Sequence, residues 1–273
     1  MDGLLLALMP ILGFVAGSIG ALIGAGGGFI AVPILLFVLP NETAGTVTGI
    51  SQSMVLMTSL SSTVAYVRQK RIEYRWAAVM AVAGIPGMAI GAFIVEQLER
   101  GAFEIAFGVV ALSLMIYLII RPIRGRGAAR TLQDAEGARV PLTTRRAIPL
   151  AVVGFGTATM GGLLGVGGGI AMVPIIVQVF VFPAHLATAT SQLVILITSP
   201  AAIIAHEASA PLHEMIVPII LLGIGAIVGA QVGARVSRRV SAPWIVRILG
   251  IGLGIVGVDL IYNGLIDSGV TIF

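Results

Sequence analysis

Two glycine triplets are the segments of this sequence whose composition and spacing could do chemistry. Gly26–Gly28 and Gly167–Gly169 each interrupt a long apolar run. Glycine is the poorest helix former after proline, so each triplet predicts a break in a helix. A helix that starts after such a break points free N–H groups and the positive end of its dipole at whatever lies before it. The triplets therefore predict a site for a small anion that needs no charged side chain.

The same glycines also fit a purely structural role. Gly20, Gly24 and Gly28 are spaced four residues apart, and so are Gly161, Gly165 and Gly169. Small residues at this spacing let two membrane helices pack closely. Close packing explains the spaced glycines as well as a site does, but it does not require three adjacent glycines.

A polar pair follows each triplet and could complete the anion site. The pairs are Ser51-Gln52 and Ser191-Gln192. Their hydroxyl and amide groups can donate hydrogen bonds to an oxyanion without burying a cation. Helix capping or bonding between helices is the alternative for such residues. Because the pair recurs after both triplets, we expect Ser51, Gln52, Ser191 and Gln192 to bind the anion together with the triplets.

Few ionisable residues lie within the apolar runs. Asp259 lies in the last run and His206 at the edge of an earlier one, so these two are the expected proton carriers if transport is coupled to an ion. A contact with lipid headgroups is the alternative for Asp259. His206-Glu207 and His213-Glu214 lack the H-E-x-x-H spacing of a zinc site. No metal and no cofactor are expected, and no set of residues predicts enzymatic catalysis.

The composition excludes a soluble protein. The 273 residues are 58% hydrophobic and 10% charged, and their mean hydropathy is +1.07. Soluble domains carry about 25% charged residues. The chain has no cysteine, which excludes disulfide frameworks and thiolate chemistry. Its basic residues lie between apolar runs without a solvated aromatic platform, so nucleic acid is not an expected partner. These features predict an all-α polytopic membrane protein.

The apolar runs set the expected number of membrane crossings, since one crossing takes about 20 residues. The runs are 4–39, 47–67, 76–95, 103–120, 147–182, 186–205, 215–234 and 244–265. The first would be ~54 Å long as one helix, against a hydrocarbon core of about 30 Å. Division of this run and of its counterpart, 147–182, at the glycines gives about 8–10 membrane segments.

The chain consists of two similar halves. A basic linker, 121–146, separates residues 1–120 from residues 147–273. Gly13–Pro33 aligns with Gly154–Pro174 at 10 of 21 positions, with an offset of 141. The Ser-Gln pairs recur at an offset of 140. The sequence therefore predicts two membrane repeats joined by a cytoplasmic linker.

Loop charges predict that these repeats have inverted topology. Loop 68–75 has four basic residues, whereas its counterpart 206–214 has none and carries two glutamates. One hairpin later the pattern reverses, with three glutamates and one arginine in 96–104 and three arginines in 235–239. Lys and Arg concentrate in cytoplasmic loops. Loops 68–75 and 235–239 are therefore expected inside, loops 96–104 and 206–214 outside, and both termini on the periplasmic side.

Three features together resemble one known family. The block GxxxGxGGGxxxVP occurs at Gly20–Pro33 and again at Gly161–Pro174, a Ser-Gln pair follows each block, and a basic linker lies between them. This combination resembles the sulfite exporter TauE/SafE family, also called the toluene sulfonate uptake permease family, over essentially the whole chain. The resemblance implies a secondary transporter, an exporter in our interpretation, of sulfite or organosulfonates across the cell inner membrane.

Two other functions stay open at this point. One is an organosulfonate uptake permease, and the other is a passive anion channel or a membrane partner subunit. The expected partners are a small anionic substrate and the lipid bilayer, and a homodimer also stays open. No Lys or Arg lies in the middle of an apolar run, so the site favours a monoanion over a dianion such as sulfate.

Overall fold

The computed structural model describes residues 3–120, 142–209, 212–237, 254 and 257–265, and all regular structure within these ranges is helical. The long helices are α1 (Gly3–Ile23), α2 (Gly28–Val38), α3 (Ala44–Arg68), α4 (Tyr74–Glu96), α5 (Arg100–Ile120), α6 (Thr144–Leu164), α7 (Gly169–Val179), α8 (Ala184–Ser209) and α9 (Ile216–Val236). A short 3-10 helix, Leu212–Met215, precedes α9. The prediction of an all-helical protein is confirmed for the described residues. The described ranges do not include linker residues 121–141, loop residues 238 and 239, or residues 244–253, 255 and 256 of the last run.

These residues form two compact units. The first contains α1–α4 and α6–α9, so both sequence halves contribute to it. The second contains α5 and the helical stretch 257–265. Within this second unit, the Gly108 position lies against the backbone of Gly257. The guanidinium of Arg100 forms an ion pair of 3.0 Å with Glu104 one turn along α5.

Five helical segments in the described ranges are long and apolar enough to cross a membrane. They are Leu5–Ile23, Tyr74–Glu96, Arg145–Leu164, Ala184–Ser209 and Leu212–Val236. The helices α2 and α7 are apolar but shorter, at 11 residues each. The protein is therefore a multi-pass membrane protein.

Helix α3, which contains the run 47–67, is not among these five segments. At 25 residues it is long enough to span, but its many serines and threonines keep it out of the five apolar segments. Most of its residues are buried. It packs against α4, α8 and α9. Because neighbouring helices cover α3, it does not need the apolar surface that contact with lipid would require.

The two outer helix pairs of the first unit are each built from both halves of the chain. Helix α1 packs along α9, and α4 packs along α6. A Cβ at Gly13 would overlap the carbonyl oxygen of Leu222, and one at Gly229 would overlap that of Phe14. Glycines along these helices thus let the backbones touch, which is typical of membrane helix pairs.

Side-chain contacts show which ends of neighbouring helices in the first unit lie close together. Arg71 follows α3, and its Nη1 donates to Ser237 Oγ, beyond the last residue of α9, at 3.0 Å. Glu96 ends α4, and its Oε1 lies 2.7 Å from Nδ1 of His206, near the end of α8. The start of α3 lies beside the second contact, since a Cβ at Gly45 would overlap the Glu96 carboxylate. The two contacts therefore lie at opposite ends of α3.

Candidate functional site

The chain leaves the helical conformation at both glycine triplets. Helix α1 ends at Ile23 and α2 begins at Gly28, while α6 ends at Leu164 and α7 begins at Gly169. Equivalent glycines in the two turns have left-handed φ angles. These are Gly24 at 82°, Gly26 at 78°, Gly27 at 92°, Gly165 at 67°, Gly167 at 75° and Gly168 at 76°. Only glycine adopts this conformation at little cost, so each turn depends on its glycines.

The two turns lie directly against each other. A Cβ at Gly28 would overlap the carbonyl oxygen of Gly165, and a Cβ at Gly169 would overlap that of Gly24. The contact is reciprocal, since each half presents the first residue of its short helix to the first turn residue of the other. The N-terminal ends of α2 and α7 therefore start side by side.

Two serine hydroxyls hold these turns from the opposite half. Ser51 Oγ donates to the carbonyl of Gly165 at 2.8 Å, and Ser191 Oγ donates to the carbonyl of Gly24 at 2.9 Å. Both serines have no exposed surface. A carbonyl released by a helix break needs a new donor when it is buried away from water. Each half thus supplies the donor that the break in the other half requires.

The glutamines next to these serines point to different helices. Gln192 Nε2 donates to the carbonyl of Gly20 in α1 at 2.9 Å, whereas Gln52 Nε2 donates to Ser199 Oγ in α8 at 3.0 Å. Both side chains are fully buried, and neither amide oxygen has a hydrogen-bond partner in the described part of the chain. The structure therefore brings the serines to the two turns, but it does not bring the two glutamines together.

Backbone N–H groups are the donors that remain at this place. Those of Gly27, Gly28, Gly168 and Gly169 donate to no backbone carbonyl within the described residues. They belong to the first turns of α2 and α7, where the positive ends of the helix dipoles lie. Together they form two sets of N–H donors, one at the start of each short helix.

An apolar pair, Val55 and Ile195, lies against Gly26 in the first turn and Gly167 in the second. Cβ atoms at Gly26 and Gly167 would both come closest to a Val55 methyl group, at 2.8 and 2.7 Å. Ile195, the counterpart of Val55 in the other half, is also close to both positions. Val55 and Ile195 are completely buried. The two turns are thus enclosed by aliphatic side chains on this side.

The two residues predicted to carry protons have very different surroundings. His206 is completely buried against Glu96, and its Nε2 has no hydrogen-bond partner within the ranges that the structure describes. Asp259 lies in the second unit, is exposed, and accepts a 3.2 Å hydrogen bond from Asn263. Sequence reasoning did not pair Glu96 with His206, because 110 residues separate them and only the packing of α4 on α8 joins them.

The second histidine-glutamate contact lies on the surface. His213 Nδ1 is 2.8 Å from Glu207 Oε1, and these side chains are 71% and 46% exposed. The described residues contain no group of three or more His, Cys, Asp or Glu that could hold a metal ion.

Sequence reasoning missed a cluster at the other end of α3. The Tyr66 hydroxyl donates to the carbonyl of Ala21 at 2.7 Å, near the end of α1. The Arg71 guanidinium lies 5.1 Å from the centre of the Tyr66 ring and donates to the carbonyl of His185 at 2.9 Å. The only signal in the sequence was the basic character of loop 68–75. The Tyr66 hydroxyl connects α3 to α1, and the Arg71 guanidinium connects Tyr66 to the start of α8.

A comparison with protein families gives one match across most of the chain. A sequence model of the family described as Sulfite exporter TauE/SafE matches residues 9–260. The matched range includes both glycine turns and both Ser-Gln pairs.

Curated relatives are named as probable membrane transporters. The chain is 33% identical over 270 residues to the probable membrane transporter protein YunE of Bacillus subtilis, covering 94% of this chain and 98% of that protein. It is 27% identical over 209 residues to a probable membrane transporter protein of Methanocaldococcus jannaschii, covering 74% and 73% of the two chains. A similar protein of Xylella fastidiosa is 25% identical over 183 residues, covering 67% and 66%. No solved structure matches the chain.

Proposed function

Because the chain belongs to the sulfite exporter TauE/SafE family of membrane transporters, we propose that it exports a small sulfur-containing anion as a secondary transporter. Sulfite and organosulfonates are the proposed substrates. The description of the family supports this choice, whereas the names of the relatives state only that they are probable membrane transporters.

The paired starts of α2 and α7 carry this proposal. Each helix N-terminus contributes roughly half an elementary charge, so two adjacent ones offer an anion about one positive charge. The unpaired N–H groups of Gly27, Gly28, Gly168 and Gly169 are the proposed donors. Such a site matches the charge of hydrogensulfite or a sulfonate and leaves a dianion half neutralised. Ser51 and Ser191 act as positioning residues that hold the turns, rather than as the main ligands.

An inverted arrangement of the two repeats completes the proposal. The reciprocal Ser–Gly hydrogen bonds support a two-fold relation between the halves. The Arg71–Ser237 and Glu96–His206 contacts support equivalent loops at opposite ends of the first unit. With the basic loops inside, about 8–10 segments would cross the cell inner membrane and both termini would be periplasmic. The broken helices would then meet at the repeat interface, where secondary transporters bind their substrates.

Flux of sulfite into proteoliposomes that contain the purified protein tests the proposal. We expect saturable uptake and accelerated exchange of labelled sulfite against internal sulfite, without a steady ionic current. Exchange with external methanesulfonate would extend the substrate class to sulfonates. A current that rises linearly with voltage would instead identify a channel, and flux no faster than in empty liposomes would overturn the transport proposal.

Substitution of the turn glycines tests the assigned site. Gly27→Val and Gly168→Val should abolish exchange, because each Cβ would overlap a backbone oxygen and φ is left-handed at both positions. Gly156→Val is the matched control, since a Cβ there meets no atom within 4 Å. Wild-type exchange by a folded Gly27→Val protein would contradict the assignment.

A further inference from the structure

We propose that the Glu96–His206 pair is a proton-binding site that couples proton movement to anion transport. This inference rests on the proposed function, and it adds a second ligand, the proton, at a site outside the glycine turns. Glu96 Oε1 lies 2.7 Å from His206 Nδ1, and the two side chains are 8% and 0% exposed.

The chemistry of the pair suits a reversible proton site. Histidine is the side chain whose charge ordinarily changes between pH 5 and 8. A carboxylate and an imidazole at this distance share one proton through Nδ1, and a second proton has Nε2 as its acceptor. That nitrogen is buried and has no hydrogen-bond partner among the described residues, and its lone pair can accept a proton. Gain of this proton changes the charge of the pair in a place with little water to screen it.

Among the described residues, no other ionisable side chain forms an ion pair or hydrogen bond with Glu96 or His206. The other ionisable groups toward this end of the adjoining elements are Glu42 before α3, Glu99 and Arg100 after Glu96 in the chain, Glu207 on α8, and His213 and Glu214 on the 3-10 helix. Arg75 and His185 lie at the opposite ends of α4 and α8. Glu207, His213 and Glu214 are exposed, and His213 pairs with Glu207. Arg68 and Arg235 lie at the opposite ends of α3 and α9.

The counterpart of His206 in the first half is not a histidine. An offset of 140 relates His206 to Tyr66, which donates to Ala21 and lies beside Arg71. One end of the first unit therefore has an arginine beside a tyrosine, whereas the other end has the buried Glu96–His206 pair. The proposed proton site is present at one end only, so a proton gradient across the membrane acts on the two ends differently.

A short path connects the pair to the glycine turns. The Glu96 carboxylate occupies the space that a Cβ would take at Gly45, in the first turn of α3. His206 Cβ lies 3.3 Å from the corresponding position at Gly49. Ser51 follows less than one turn later and holds the carbonyl of Gly165. A change in the charge of the pair therefore acts on the segment of α3 that supports the second glycine turn.

Proton movement during methanesulfonate flux tests the inference. Proteoliposomes that contain a trapped pH-sensitive dye receive an inward gradient of methanesulfonate, which stays fully ionised and carries no proton of its own, and empty liposomes correct for passive proton leak. We expect wild-type protein to change the internal pH. Glu96→Gln and His206→Gln should reduce this change at least tenfold while sulfite exchange persists. Glu207→Gln and His213→Gln are matched controls, because this pair has the same chemistry and similar geometry on the surface.

The outcomes separate this inference from the proposed function. Loss of sulfite exchange in the wild type overturns the proposed function and, with it, the coupling. Wild-type exchange with unchanged proton movement in folded Glu96→Gln and His206→Gln proteins overturns the coupling alone. If neither variant folds, Gly45→Ala replaces them, because its methyl group displaces the Glu96 carboxylate without removing either ionisable group from the chain. A pH profile of exchange identical to that of the wild type would then overturn the inference.

Discussion

The carbonyl of Gly165 shows how a single hydroxyl group stabilises a broken helix. At a break a buried carbonyl oxygen loses its helical donor, and leaving it unpaired costs about 1–3 kcal/mol. Ser51 supplies the donor at 2.8 Å. Ser53, on the same helix, donates at 2.9 Å to the carbonyl of Gly49, which lies within regular helix. The two serines make bonds of similar length but of different importance.

This difference predicts unequal effects of two alanine substitutions. Ser51→Ala should lower the free energy of unfolding by roughly 1–3 kcal/mol, because it leaves the Gly165 carbonyl without its donor. Ser53→Ala should change the free energy by less than about 0.5 kcal/mol, since the helix already provides a donor for the Gly49 carbonyl. Reversible unfolding in detergent measures both. Equal effects would mean that the turn does not depend on Ser51.

The sequence was sufficient to locate the glycine turns but not to assign the partners of the polar pairs. Adjacent glycines weaken a helix through local conformational preference, which a sequence displays directly. Ser51 and Gln192 find their acceptors in the opposite half, 114 and 172 residues away. Such partners depend on packing between helices, and no local pattern encodes that packing. Gln52 and Gln192 for this reason have different partners despite their equivalent positions.

At the scale of helices, contact between backbones controls how α1 and α9 pack. A Cβ at Gly225 would overlap the carbonyl oxygen of Pro10, and one at Gly233 would overlap that of Ser18. Because these oxygens belong to the backbone, no rotation of a side chain relieves the overlap. The helices would have to move apart along their whole interface.

Substitution of Gly229 tests whether direct backbone contact holds α1 against α9. Gly229→Val should lower the free energy of unfolding by at least about 1–3 kcal/mol, because the added side chain would enter the backbone of Phe14. Gly156→Val, where a Cβ meets nothing within 4 Å, should be nearly neutral. Thermal unfolding in detergent compares the two variants. Similar transition temperatures would indicate that α1 and α9 are not held by direct backbone contact.

Hydropathy located the helices better than it described their environment. Within the described residues the predicted runs correspond to helices, since length and apolarity follow directly from composition. Helix α3 differs because its serines and threonines are buried against other helices. A hydropathy scale counts these residues as polar and does not distinguish contact with another helix from exposure to water. Tyr66 shows the same limit. It lies within the apolar run 47–67, but its hydroxyl donates to the carbonyl of Ala21 near the end of α1.

At the scale of the whole molecule, the arrangement of charged loops predicts labelling from one side of the membrane. Single cysteines are readily introduced because the chain has none. In intact cells, an impermeant maleimide should label Ser209→Cys and fail to label Ser237→Cys. Ser237 should become reactive once the membrane is permeabilised, which controls for its partial burial. Equal labelling of both sites in intact cells would contradict the inverted arrangement.

The reciprocal hydrogen bonds between the halves also constrain the order of events during synthesis. The carbonyl of Gly24 receives its hydroxyl donor from Ser191, which lies 167 residues later in the chain. At about 5–20 residues per second, a ribosome needs roughly 8–33 s to add those residues. Throughout that interval the first half lies in the membrane without the partner that its break requires. The nascent chain must therefore keep this turn in contact with water, lipid headgroups or an insertion factor until the second half arrives.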